Sequence, residues 1–122
     1  MDHYIDGFII PVAKDKIEAY KATATEAAAI WIEHGAIEYR ECVGDDMDIE
    51  DQVPFPKLAD AKPEETVVFA YAVFPSKQAR DEANKNIMTD PRIEKICKEA
   101  GRIFDTGRMA YGGFKSVVYK KS

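Results

Sequence analysis

Apolar residues alternate with polar ones, or run unbroken, in four short stretches of this chain, and they recur at steps of three and four in the segments between. Tyr4 to Val12 has the period of two that marks a strand, with Ile5, Gly7 and Ile9 on one face and Tyr4, Asp6, Phe8 and Ile10 on the other. Pro11, which has no N–H, is expected to end its ladder. Lys14 to His34 predicts a long helix whose apolar stripe is Ile17, Tyr20, Ala24, Ala27 and Trp31. Its alanines favour the helix and would let it pack close to a sheet, and Gly35 follows at the left-handed cap position. Ala36 to Val43 predicts a second strand, with Ile37, Tyr39, Glu41 and Val43 sharing one face.

Thr66 to Phe74 is apolar on both faces, Val67, Phe69, Tyr71 and Val73 on one and Val68, Ala70, Ala72 and Phe74 on the other, so it reads as a central strand covered on both sides. Ser76 is placed to cap a helix over Lys77 to Thr89, with Ala79, Ala83 and Ile87 on its apolar side. Asp90-Pro91 restarts a short helix in which Ile93, Ile96, Cys97 and Ala100 have helical spacing and Gly101 closes it. Arg108 to Tyr119 is the last strand region, and Gly112-Gly113 inside it implies a bulge or a close backbone approach. Between the second and third strands, residues 44–65 show no strong period and contain Pro54, Pro56 and Pro63. A flap that docks Phe55 on another surface would explain the apolar residues there.

The order strand, helix, strand, strand, helix, strand is that of an α+β ferredoxin-like fold, a four-stranded antiparallel sheet with helices on one face, in a single domain over residues 1–122. Helices on one face leave an apolar sheet face open. A homodimer, sheet against sheet, is the simplest way to cover it.

Composition narrows the partners. A net charge of -5, from 17 basic and 22 acidic residues, gives no general attraction to nucleic acid. No apolar run approaches the ~20 residues of a membrane span or the form of a signal peptide, so the expected location is the cytoplasm. Cys42 and Cys97 lack metal or redox spacing and read as free thiols. With only His3 and His34, a histidine-rich metal site is not expected, a haem would depend on one of them, and no cofactor is predicted. The acidic run from Asp45 to Asp51 fails the EF-hand pattern, having no glycine at the sixth loop position and Lys57 at the twelfth from Asp46. Asp105-Thr-Gly107 matches the triplet of aspartic proteases, but those are nearly all β, and here it reads as a turn.

Two carboxylates stand among apolar neighbours. Asp6 is explained either by a solvent-wetted strand end, the reading favoured here, or by a pocket. Glu41, between Tyr39 and Val43, would be costly in a dry core, so either that face is wet or Glu41 lines a polar pocket.

Several segments, quoted in chain order, resemble a bacterial family of unknown function, the YbaA-like proteins: Tyr4-Ile-Asp-Gly-Phe8, Trp31-Ile-Glu-His-Gly-Ala with Tyr39-Arg-Glu-Cys-Val-Gly-Asp-Asp46, Phe74-Pro-Ser with Arg80-Asp81 and Asn84, Met88-Thr-Asp-Pro-Arg92, and Phe104-Asp-Thr-Gly-Arg-Met-Ala-Tyr-Gly-Gly-Phe114. The resemblance spans nearly the whole chain and implies the dimeric α/β-barrel superfamily. Relatives there include cofactor-independent monooxygenases, muconolactone isomerases and haem-dependent chlorite dismutases, and ligands commonly sit between sheet and helices of each subunit. A pocket of that kind would draw on Trp31, His34, Tyr39, Glu41, Tyr71, Arg108 and Tyr111. In it Trp31 would be an apolar wall, Arg108 an anion anchor, the tyrosines donors and His34 a proton carrier. Against this, His34 serves equally as a helix C-terminal cap, the aromatics as core, and Arg108 as partner to a carboxylate such as Asp105. The functions that follow are binding, or cofactor-independent monooxygenase-like or isomerase-like chemistry, on a small acidic, aromatic or oxidised metabolite. The alternative is a non-catalytic dimer whose 44–65 loop serves protein association or stress protection.

Overall fold

The computed structural model describes residues 2–122. Strand β1 (Tyr4–Ala13) leads through a 3-10 turn into helix α1 (Ile17–Glu33), and strand β2 (Glu38–Val43) returns from it. A one-turn helix α2 (Phe55–Leu58) lies in the long connection to strand β3 (Glu65–Phe74). Helices α3 (Lys77–Met88) and α4 (Pro91–Gly101) precede strand β4 (Ala110–Lys115). The strands pair antiparallel in the order β2-β3-β1-β4. This is the ferredoxin-like arrangement, with β3 and β1 in the middle as the apolar pattern requires.

The caps follow the sequence. Gly35 takes φ 121°, which a side chain would resist, and lets the chain turn back from α1. The Ser76 hydroxyl accepts from Ala79 N at the start of α3, and the Asp90 carboxylate accepts from Arg92 N at the start of α4. Along α1 the buried residues are Tyr20, Thr23, Ala24, Ala27 and Ile30, so the predicted stripe is rotated slightly, with Ile30 inside.

Two strand ends differ from expectation. β1 continues past Pro11 to Ala13. Counting by alternation from the bond Lys14 N→Glu64 O (3.0 Å), the main chain of Pro11 faces the β4 side, where pairing has already stopped at Ile9↔Ala110. Its missing donor therefore breaks no ladder bond. β4 stops at Lys115 instead of reaching Tyr119, because its partner β1 begins at Tyr4, opposite Lys115. Only Ser116 N→His3 O (3.1 Å) continues the pairing, and Val117 and Val118 are exposed. The Gly112-Gly113 pair makes no bulge, since the register is unbroken from Lys115 to Ala110. Gly113 instead permits a close approach: a Cβ there would come within 2.6 Å of both the Tyr4 hydroxyl and Arg80 Nη2.

The layer between sheet and helices holds two apolar clusters. One gathers Ile30, Phe74, Ile87, Ile93 and Ile96; the other gathers Ile10, Val12, Tyr20 and Val68. The opposite face of the sheet carries Phe69, 47% exposed, and Phe114, 61% exposed. Phe55 of α2 stands 6.5 Å from Phe69, so the 44–65 connection lies against this face.

Candidate functional site

Between the two clusters lies a cavity of about 380 Å³, within the size range of small-molecule sites. It exists because small residues face each other across the layer. Ala24 and Ala27 of α1, Ala70 of β3 and Ala100 of α4 all border it. The alanines expected to draw α1 onto the sheet thus leave space beside the larger core residues Tyr20, Ile30 and Phe74.

Sheet register places the polar groups. Tyr39, Ala72, Asp6 and Gly113 form one row across the helix-facing side, and Glu41, Ala70, Phe8 and Tyr111 form the next. Neighbouring strands are about 4.8 Å apart, so each row spans the cavity floor with a carboxylate and an aromatic. On the β2 side Glu41 accepts two hydrogen bonds, from Tyr20 to Oε1 at 2.6 Å and from Tyr39 to Oε2 at 2.7 Å. Burial, and then the neighbouring carboxylate, push both phenols far above the ordinary tyrosine range, so they stay protonated donors.

On the β1 side Asp6 is 1% exposed. Arg80 Nε lies 3.6 Å from its Oδ1, and Asn84 Nδ2 donates to Oδ2 at 3.5 Å. Arg80 also donates to the hydroxyls of Tyr4 (3.1 Å) and Tyr111 (3.2 Å), and its guanidinium stacks 4.7 Å from the Tyr4 ring centroid. Burial raises the Asp6 carboxyl above the usual carboxylate range, and the Arg80 charge opposes that rise only in part. Three side-chain polar atoms are buried without a hydrogen-bond partner among the described residues: Asp6 Oδ1 and Arg80 Nε, which face each other as an ion pair at 3.6 Å, and Trp31 Nε1. Met88 and Tyr111, both well exposed, sit at the mouth.

Of the seven residues anticipated for a pocket, Trp31, Tyr39, Glu41 and Tyr111 line this cavity. The other three lie elsewhere. His34 Nε2 pairs with Asp90 Oδ2 at 2.9 Å, joining the end of α1 to the start of α4. A residue one step beyond the helix, with a carboxylate cap in reach, serves that junction and not the cavity. Tyr71 alternates onto the open sheet face, opposite Arg40, and its hydroxyl donates to Glu38 at 3.2 Å. Arg108 is drawn away by Glu65, to which it donates twice (2.8 and 2.9 Å), and by the Asp60 carbonyl (2.8 Å). Its carboxylate partner is Glu65, not Asp105, and no anion anchor stands in the cavity at this position.

Asp6, Tyr20 and Asn84 line the site as well, with Arg80 behind Asp6. Asp6 is not the wetted strand end favoured from the pattern. As the one charged residue on the helix-facing side of β1 it carried a signal, and Arg80 and Asn84, one turn apart on α3, carried the complement. Among the described residues no group of three His, Cys, Asp or Glu side chains is arranged to hold a metal ion. No helix among them is long and apolar enough to cross a membrane.

Fold and site together define a ferredoxin-like α+β protein with a mainly apolar, carboxylate-bearing cavity between sheet and helices. The chain belongs to the family described as "protein of unknown function (DUF1428)", which matches residues 3–106. It is 38% identical over 115 residues to the uncharacterised protein YbaA of Escherichia coli K12, covering 94% of this chain and 97% of that protein. Among solved structures, a variant of SnoaB, a cofactor-independent oxygenase from Streptomyces nogalater, superposes with a TM-score of 0.64 at 14% identity, covering 98% of this chain and 97% of that one. A dimeric ferredoxin-like protein from an uncultured marine organism gives a TM-score of 0.60 at 7% identity, covering 100% of both chains. At these identities the structural likeness speaks for the fold.

Proposed function

We propose that this chain forms a cytosolic homodimer, each subunit of which binds a small aromatic or oxidised metabolite in the cavity and acts on it by cofactor-independent proton transfer. The observation that carries the reading is Asp6: a buried carboxylate of a residue lining the cavity, paired through Oδ1 with Arg80 at 3.6 Å and with its affinity for a proton raised by burial. Such a group takes a proton from a weak acid more readily than a solvated aspartate does. Arg80, 3.6 Å away, keeps it ionised enough to act as a base. The anion left on a conjugated substrate has two courses: return of the proton at another carbon, an isomerisation, or reaction with dioxygen, an oxygenation. SnoaB, with the same fold, is a cofactor-independent oxygenase. That supports the class of chemistry without choosing between the courses.

The dimer is supported by the exposed aromatic face of the sheet, bearing Phe69 and Phe114, and by a structural neighbour that is a dimeric ferredoxin-like protein.

The test is a thermal-shift screen of aromatic and oxidised metabolites, followed by NMR of each hit in D2O. A hit whose acidic position exchanges with solvent in the wild type, and not in Asp6→Asn, supports the reading. A broad library that shifts nothing, or exchange that survives Asp6→Asn, overturns it.

A further inference from the structure

The charges that border the cavity do not balance. Its lining includes two carboxylates, Asp6 and Glu41, and no lysine, arginine or histidine among the described residues. Asp6 is answered by Arg80 at 3.6 Å. Glu41 has only neutral partners, the hydroxyls of Tyr20 and Tyr39, and no Lys, Arg or His among the described residues stands within ion-pair distance of it. Each hydroxyl takes one oxygen. A carboxylate offers about four acceptor positions, so each oxygen has room for a further donor. Glu41 is only partly buried, and a carboxylate held away from bulk water without a cation gains from one that is brought to it.

The surroundings of Glu41 suit a cation. Tyr20 and Tyr39 bond to it directly, the Trp31 ring stands 5.9 Å from that of Tyr39, and the Phe104 ring stands 5.8 Å from that of Tyr20. All four rings line the cavity. Aromatic faces carry negative charge density and attract a cation, the more so where water is displaced. An anionic ligand would instead meet the charge of Glu41 with no cation to offset it. Glu41 on β2 and Asp6 on β1 are two strand spacings apart, about 10 Å across the sheet, so a molecule with its charge at Glu41 extends its other end toward Asp6.

We infer that the cavity takes an organic cation: an aromatic or conjugated molecule bearing a protonated amine, whose ammonium group donates to Glu41 among the rings of Tyr20, Tyr39 and Trp31. The inference rests on the cavity being a small-molecule site and names the chemical class of its ligand. It makes Glu41 a specificity-determining residue, where its bonds to Tyr20 and Tyr39 alone would make it a brace between α1 and β2.

Three probes of similar shape separate the charges: 2-naphthylmethylamine, a cation at pH 7; 2-naphthylmethanol, neutral; and 2-naphthoate, an anion. Calorimetry gives their affinities. The expected result is that the amine binds about tenfold or more tightly than the alcohol, the scale of one hydrogen bond to a charged group, and that the carboxylate binds more weakly than either. Glu41→Gln keeps the size of the side chain and removes its charge. It should bring the amine to within about twofold of the alcohol and leave the affinity of the alcohol within about twofold of the wild type. Glu38→Gln removes the same charge from the other face of β2, where Glu38 accepts from Tyr71, and should leave the preference for the amine intact. Equal affinities for amine and alcohol, a preference that survives Glu41→Gln, or one that is lost in Glu38→Gln overturns the inference while the small-molecule reading stands. Should Glu41→Gln not fold, the wild-type and Glu38→Gln series still decide. If none of the probes binds at millimolar concentration and the metabolite that does bind is neutral or anionic, the inference again falls alone; a cationic metabolite that loses about tenfold in Glu41→Gln bears it out. If nothing binds, both fall.

Discussion

The hydroxyl of Tyr20, on the longest helix, donates to Oε1 of Glu41, on an edge strand, at 2.6 Å, and Tyr39 donates to the other oxygen of the same carboxylate. This three-residue cluster ties α1 to β2 beside the cavity. Removing one donor should cost about 1 kcal/mol, whereas Glu41→Ala strands two buried hydroxyls and should cost about 2–3 kcal/mol. The phenol of Tyr20 is raised in the folded state, so its contribution is present below the ordinary tyrosine range and is lost as pH rises through and beyond it. Denaturant melts of the wild type and Tyr20→Phe should therefore differ at pH 7 and converge above pH 10. Melts that stay equally far apart at both pH values would contradict the buried hydrogen bond.

Asp6 shifts in the same direction, and its effect falls in the acid range. Its carboxyl is raised in the folded state, so in the range just above its ordinary value the folded chain binds more protons than the unfolded one, and stability falls as pH rises there. Asp6→Asn does not titrate. The wild type should gain stability relative to Asp6→Asn on going from pH 7 to pH 4, as followed by the difference in Tm. A difference that is flat, or that grows the other way, would mean that Arg80 outweighs burial.

Arg108 serves the framework. Its fork to Glu65 and its bond to the Asp60 carbonyl hold the end of the long connection, where Asp60 itself takes φ 53°. Arg108→Ala should lower the melting temperature and leave ligand affinity in the cavity unchanged. The hydrogen bonds from Arg108 hold the Glu65 carboxyl down to about 2. Its stabilising contribution is therefore present above pH 4.5 and lost as pH falls toward 2, so wild-type and Arg108→Ala melts should approach each other in acid. Loss of ligand affinity in Arg108→Ala would return this residue to the site.

The open face of the sheet is tested at Phe69. A carboxylate there breaks up the exposed aromatic patch, so Phe69→Glu should convert a dimer to a monomer at micromolar concentration, with helical content retained. Light scattering gives the mass. A wild-type mass of one chain, or a dimer that survives Phe69→Glu, would remove the sheet-to-sheet arrangement.

Much of this molecule follows from local rules. The period-two and helical stretches, the Ser76, Asp90 and Gly35 caps, and the doubly apolar β3 each depend on a few neighbouring residues, and each appears in the fold. So does the placement of Tyr39 and Glu41 on one strand face, because alternation along a strand is a local property. Tyr71 shows the limit. Its strand is apolar on both faces, so pattern alone could not say which face met the helices.

The sequence by itself determined the element order, the sheet with a central β3, and the two carboxylates that do not belong in a dry core, since propensity and periodicity are read within a few residues. Only the tertiary structure decided what those carboxylates face. Glu41 meets Tyr20, 21 positions away, Asp6 meets Asn84, 78 positions away, and Arg108 is captured by Glu65 from across the chain. Such partnerships depend on register and on how far alanines let the layers approach, and no local pattern encodes either. The same long-range packing opened the cavity and left Trp31 Nε1 without a partner beside it.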